Sequence, residues 1–142
     1  MNTSHPGIKA FYNFIDVFNT VDKDKILNNL HFPHFTHSDG NDTIKYEDGE
    51  AFWNVLEIQL YEMVHIEKWS FSTLDKCEII NETKNTIQCH VEFNRRYENK
   101  ESYGTAKGIW IATLRDNRWA LQIRSMIPVS GNISSLAGTK NN

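Results

Sequence analysis

Apolar positions change period once along this chain, dividing it into a helical first half and a β-rich second half. Ile8, Phe11, Tyr12, Ile15 and Phe18 recur at spacings of three and four, which predicts an amphipathic helix. Asp22-Lys23-Asp24-Lys25 opens a short second helix, with Asp22 as N-cap, Ile26, Leu27 and Leu30 as its apolar stripe, and Pro33 as its stop. The polar stretch from Pro33 to Asp48 carries turn signals at Asp39-Gly40 and Asn41-Asp42. His34-Phe35-Thr36 and Thr43-Ile44-Lys45-Tyr46 within it are short strand candidates. A third helix is expected from about Asp48 to between Glu62 and His65. Phe52, Val55, Leu56, Leu60 and Met63 form its buried stripe, with Trp53 beside it.

Alternation with period two then predicts four long antiparallel strands: Trp69 to Ile80, Thr86 to Glu98, Tyr103 to Arg115, and Arg118 to Ile127, with Pro128 ending the last. Asp116-Asn117 reads as a two-residue hairpin turn, since Asp and Asn tolerate the positive φ it needs. That turn pairs Leu114 with Trp119, Ala112 with Leu121, and Trp110 with Ile123. A turn at Asn99-Lys100 pairs Glu98 with Glu101 and sets Arg95 opposite Gly104, Phe93 opposite Ala106, and Val91 opposite Gly108. One face then collects Val91, Phe93, Trp110, Leu114, Trp119, Leu121 and Ile123 around a single cation, Arg95. Trp69, Phe71, Thr73, Cys77 and Ile79 share a face on the first long strand. Bulky walls, small residues opposite Arg95 and one inward charge suggest a cavity. The other face holds Ile109, Ile111, Thr113, Ala120, Gln122, Arg124 and Met126, alongside His90, Glu92, Asn94 and Arg96. Such a mixed face suits a homodimer about a two-fold axis; the alternative is a monomer with scattered surface Ile and Met.

Composition narrows the class. A chain of 142 residues forms one domain, expected over residues 1–128, with a Ser/Gly/Asn-rich tail at 129–142 expected to be flexible. Aromatics at 12% exclude a disordered chain, and a net charge of −3 gives no basic footprint for nucleic acid. No run of about 18 apolar residues suggests a membrane span. No secretory pattern is visible at the N-terminus, so a cytoplasmic setting is expected and the four Asn-x-Ser/Thr sequons are attributed to Asn-rich composition. Cys77 and Cys89 fall opposite each other in an even register and are read as reduced, buried thiols. His31, His34 and His37 have metal-like spacing, but Pro33 breaks the helix that would gather them, so neither a metal nor a cofactor is expected.

The order helix, helix, short strands, helix, four long strands gives an α+β domain with its helices on one face of a curved sheet. This order and three local runs resemble the nuclear transport factor 2-like superfamily, and within it the SnoaL-like proteins, over about residues 8 to 127. The runs are Ile109 to Ser125 with its Asp-Asn turn and Arg118-Trp119, Phe32-Pro33-His34 followed by Asp39-Gly40, and Val91-Glu92-Phe93-Asn94-Arg95. The resemblance implies a cone-shaped, cystatin-like fold with three N-terminal helices packed on a curved, mainly antiparallel sheet. It also implies a helix–sheet cavity for a small, partly apolar molecule. Relatives include isomerases, dehydratases and cyclases working by acid/base chemistry, alongside non-enzymatic interaction modules, and the sequence leaves both open. Ketosteroid isomerases use a carboxylate base with Tyr and a protonated acid; scytalone dehydratase-like members use His with Tyr and Asp. Candidate catalytic residues are therefore His34, Arg95, Tyr12 and Asp16, the last two one turn apart on the first helix. Candidate ligand-binding residues are Trp53, Phe71, Phe93 and Trp110.

Overall fold

The computed structural model describes residues 5–137 and 139–140. Helix α1 (Ile8–Phe18) buries Ile8, Phe11, Phe14, Ile15 and Phe18 against the sheet. Tyr12 and Asp16 fall on its opposite side. The short helix α2 (Lys23–Leu27) is capped by Asp22, whose carboxylate accepts from the Lys25 amide at 3.1 Å. It ends earlier than its apolar stripe suggested, because Leu30 already belongs to strand β1 (Leu30–Ser38). Pro33 lies inside β1 rather than ending a helix. It sits where the pairing of β1 with β6 shifts between Leu30 and Phe35, an irregularity that tolerates its missing N–H. Strand β2 (Ile44–Tyr46) follows, then α3 (Gly49–Glu62), capped by Asp48 on the Ala51 amide at 2.9 Å. A π-helical turn (Met63–Glu67) extends α3, and Lys68 terminates it in the left-handed region at φ 66°.

Strands β3 (Phe71–Glu82), β4 (Thr86–Arg96), β5 (Ser102–Arg115) and β6 (Arg118–Gly131) form the body of a six-stranded sheet, ordered β2-β1-β6-β5-β4-β3. All its pairings are antiparallel except β1 with β6. Arg95 faces Gly104, Phe93 faces Ala106 and Val91 faces Gly108, as the alternation predicts. The β4–β5 turn is one residue looser than expected. Tyr97 N–H donates to the Glu101 carbonyl, and Lys100 takes up the positive φ of 77°. At the β5–β6 turn Asp116 and Asn117 have φ of 53° and 60°, the two-residue turn read from the sequence.

The expected register fails at one residue of β6. Ala112 pairs with Leu121, but Ile111 pairs with Ile123 and Trp110 with Arg124. Gln122 is the extra residue of a β-bulge. Its side chain is fixed there, accepting from the Thr113 hydroxyl at 2.7 Å and donating to the Pro33 carbonyl at 2.9 Å. Beyond the bulge every side chain changes face. Ile123, placed inward by the unbulged pairing, is exposed, while Arg124 and Met126, placed outward, are buried under the helices.

Two bulges in β3, at Asp75 and Ile80, have a similar effect. Ser72 faces Arg95, so Phe71 and Thr73 lie on the outer face. Cys77 faces Val91 and Ile79 faces Cys89, so the two thiols are diagonal neighbours, both free, rather than directly opposed. Their contact raises the Cys89 pKa and lowers that of Cys77.

Strand β6 also runs through Pro128 to Gly131, helped by a further bulge at Val129. The segment after it is not a detached tail. Ile133, Ser135, Leu136 and Ala137 are buried, and β7 (Ser135–Leu136) pairs with β8 (Thr139–Lys140). A Cβ at Gly104 would come within 2.7 Å of Ile133 Cγ1, so the space opposite Arg95 is filled by the chain's own Ile133. The core is continuous from α1 and α3 to the concave face of the sheet and this C-terminal strap.

Candidate functional site

Helices α1 and α3, the concave face of the sheet and the strap enclose a small cavity of about 40 Å³. Phe14, Ile15 and Phe18 of α1 form one wall, and Phe52, Val55, Leu56 and Gln59 of α3 another. Tyr46, Ser72, Phe93, Trp110 and Met126 come from the sheet, and Leu136 and Ala137 from the strap. The remaining two lining residues are arginines, Arg95 and Arg124, and their surroundings differ completely.

Arg95 is neutralised. Its Nη1 donates to Glu67 Oε1 at 3.1 Å and Oε2 at 3.2 Å, with both side chains almost wholly buried. Glu67 also accepts from the Tyr103 hydroxyl at 2.5 Å, from the Ser134 amide at 2.9 Å and from the Ser134 hydroxyl. A buried carboxylate is tolerable when its lone pairs are filled in this way. Burial, then the Glu67 carboxylate, push the Tyr103 phenol well above its usual range, so it stays a donor. The π-helical turn places Glu67 inward, one turn past the buried Met63, and the pair joins α3, β4, β5 and the strap.

Arg124 is not neutralised. It is only 6% exposed, and no carboxylate among the described residues pairs with it. Its one hydrogen bond among the described residues runs from Nε to His34 Nε2 at 3.2 Å. The guanidinium carbon otherwise lies 4.6 Å from the Phe14 ring centroid and 5.7 Å from those of Phe52 and Trp110. Aromatic faces stabilise a cation without cancelling its charge. Burial lowers the Arg124 pKa to about 10, which still leaves it protonated at neutral pH.

His34 is buried behind Arg124, edge-on to Phe52 at 5.5 Å, and is not part of the cavity wall. Burial first, and then the Arg124 charge, hold its pKa well below the usual imidazole value. Since Nε2 accepts from the guanidinium, the network assigns the proton to Nδ1, which has no partner among the described residues. Trp110 Nε1 is likewise a buried donor without a partner there.

The other candidates separate by place. Phe93 and Trp110 line the cavity. Trp53 sits half-buried on the flank of α3, outside the wall, and Phe71 is on the outer sheet face because Ser72 occupies the inward position. Tyr12 is 42% exposed and Asp16 is fully on the solvent side of α1, since the buried stripe takes positions 11, 14, 15 and 18. Neither can meet a molecule in the cavity. Two residues central to the site escaped the sequence reading. Glu67 was findable, because it continues the buried spacing of Leu56, Leu60 and Met63. Arg124 was not, because only the bulge at Gln122 turns it inward.

No family description and no curated protein matches this sequence. Solved structures do match in shape. They include an NTF2-like protein with a cystatin-like fold from Novosphingobium aromaticivorans (13% identity, TM-score 0.63, 87% of this chain and 80% of that one). A ketosteroid isomerase-like protein from Erwinia carotovora atroseptica is similar at 11% identity and TM-score 0.62, over 92% of this chain and 99% of that one. LinA is similar at 12% identity and TM-score 0.66, over 94% and 91%. The chain therefore has the nuclear transport factor 2-like, cystatin-like fold: three helices followed by a mixed, mostly antiparallel six-stranded sheet.

Proposed function

We propose that this protein binds a small, partly apolar molecule in the cavity between its helices and sheet. The observation that carries this reading is the wall itself: an internal space bounded by six aromatic side chains and by aliphatic ones, with few polar groups. Binding is favoured over acid/base turnover, because the wall holds no Asp, Glu or His among the described residues, and His34 lies outside it with its Nε2 lone pair taken by Arg124. Isomerase, dehydratase or cyclase chemistry would need a base at the ligand. The test is a cavity-filling substitution, Val55→Phe, on the α3 wall. Xenon, an apolar guest small enough for a space of about 40 Å³, should raise the melting temperature of the wild-type protein and not that of the variant. Equal shifts in both would place binding elsewhere and overturn the reading.

A second reading, a dimeric interaction module, draws on the outer sheet face. The bulge at Gln122 sets Ile123 outward beside Ile111, next to exposed Ile109 and Ile127. A second copy of the chain is the partner that a self-complementary apolar face fits.

A further inference from the structure

We infer that the molecule bound in this cavity is a monocarboxylate with an apolar body, held head-first on the Arg124 guanidinium. The inference deepens the cavity reading and rests on it.

Two guanidiniums reach the wall, and one carboxylate, Glu67, is buried beside Arg95. Glu67 is committed to Arg95, Tyr103 and Ser134. Arg124 is left as an uncompensated, buried cation among aromatic rings. An unpaired buried charge is strongly unfavourable, and an anionic ligand would relieve it.

Geometry then selects the anion. The Arg124 Nε is already committed to His34, which leaves the Nη groups free of hydrogen-bond partners among the described residues. They form the half of the guanidinium fork suited to a planar carboxylate. No lysine lines the cavity, and the second arginine is neutralised, so the wall offers one net positive charge. A phosphate or sulfate dianion would bring a second negative charge with nothing to meet it. Away from Arg124 most of the wall is apolar, with Phe18, Leu56, Phe93 and Leu136, so the body of the ligand is mainly hydrocarbon. His34 has a positioning role. As a neutral acceptor it fixes the plane of the guanidinium without cancelling its charge.

The test is calorimetric titration of the full chain with formate, acetate and propionate, whose size suits a space of about 40 Å³, each against its primary amide. The acids should bind at least tenfold more tightly than the matching amides, and Arg124→Met should remove that preference. Arg124→Lys, which keeps the charge but not the fork, should keep part of it. Acids and amides binding alike, or an acid preference surviving in Arg124→Met, would overturn the inference while leaving the cavity reading intact. If no acid binds, the inference fails. Xenon then decides separately whether the cavity takes an apolar guest at all.

Discussion

Arg124 Nε donates to His34 Nε2 at 3.2 Å, joining two buried, basic side chains from adjacent parallel strands with no acid between them. This contact requires His34 to be neutral. Its imidazole is held well below the usual value of about 6.5, by burial first and Arg124 second, and His31 is lowered as well. An unfolded chain binds protons at these histidines below about pH 6.5 more readily than the folded chain does, so stability falls as pH drops through that window. His34→Gln keeps an acceptor for Arg124 and cannot titrate. Its urea midpoint should depend less steeply on pH between 7 and 5 than that of the wild type, with the residual slope assigned to His31. An unchanged slope would mean that His34 is not neutral in the native state.

Arg95 is a structural cation. Arg95→Ala leaves Glu67 buried without its cation, and Glu67→Ala does the same to Arg95. Each should lower stability by about 3–5 kcal/mol, the usual cost of breaking a buried pair from one side. The double variant should recover part of that loss. Urea denaturation of the two singles and the double forms the cycle that checks it.

The C-terminal strap closes over Gly104. Gly104→Ala would drive a Cβ to within 2.7 Å of Ile133 Cγ1, so it should destabilise the wild-type chain. Ile133→Ala alone should cost roughly 2–5 kcal/mol as a buried truncation. In the Ile133→Ala background the Gly104→Ala penalty should shrink. Additive penalties in thermal melts would mean that the strap does not pack there.

Homodimerisation through the outer sheet face is expected to depend on Ile109 and Ile123, which lie on adjacent strands and are both exposed. Arg124 plays no part, since the bulge removes it from that face. Light scattering at tens of micromolar should give a dimer for the wild type and a monomer for Ile123→Glu. A wild-type monomer at that concentration would count against the interface.

Much of the fold is legible because its elements depend on local signals. The spacing of Ile8 to Phe18, the caps at Asp22 and Asp48 and the Asp116-Asn117 turn all follow from short-range chemistry. The pairing of Arg95 with Gly104 follows from unbroken alternation on β4. The site is less legible because it depends on single-residue insertions in strands. Gln122, Asp75, Ile80 and Val129 have no local mark of a bulge; each is fixed by what its neighbours must bury. At Gln122 the deciding partners are Thr113 and the Pro33 carbonyl, the latter 89 residues away in the chain. One extra residue there exchanges Ile123 for Arg124 on the inner face and changes the charge of the cavity. The strap was hidden for a different reason. Its polar composition resembles a solvated tail, yet Ser134 is half-buried on its bond to Glu67 and Ser135 is buried beside the anchoring Ile133 and Leu136.

A cation kept inside an apolar cavity for an absent anion should destabilise the ligand-free protein. The most direct measurement is therefore the urea unfolding free energy of Arg124→Met against wild type at pH 7 without ligand. Met replaces the guanidinium with an apolar group of similar reach. Removing an uncompensated buried charge should leave the protein at least as stable, with a gain of up to about 1–4 kcal/mol by analogy with apolar replacement of buried ions. A loss of more than about 2 kcal/mol, of the size seen when one partner is stripped from a satisfied buried pair, would show that Arg124 is already compensated and would contradict its role as the anchor.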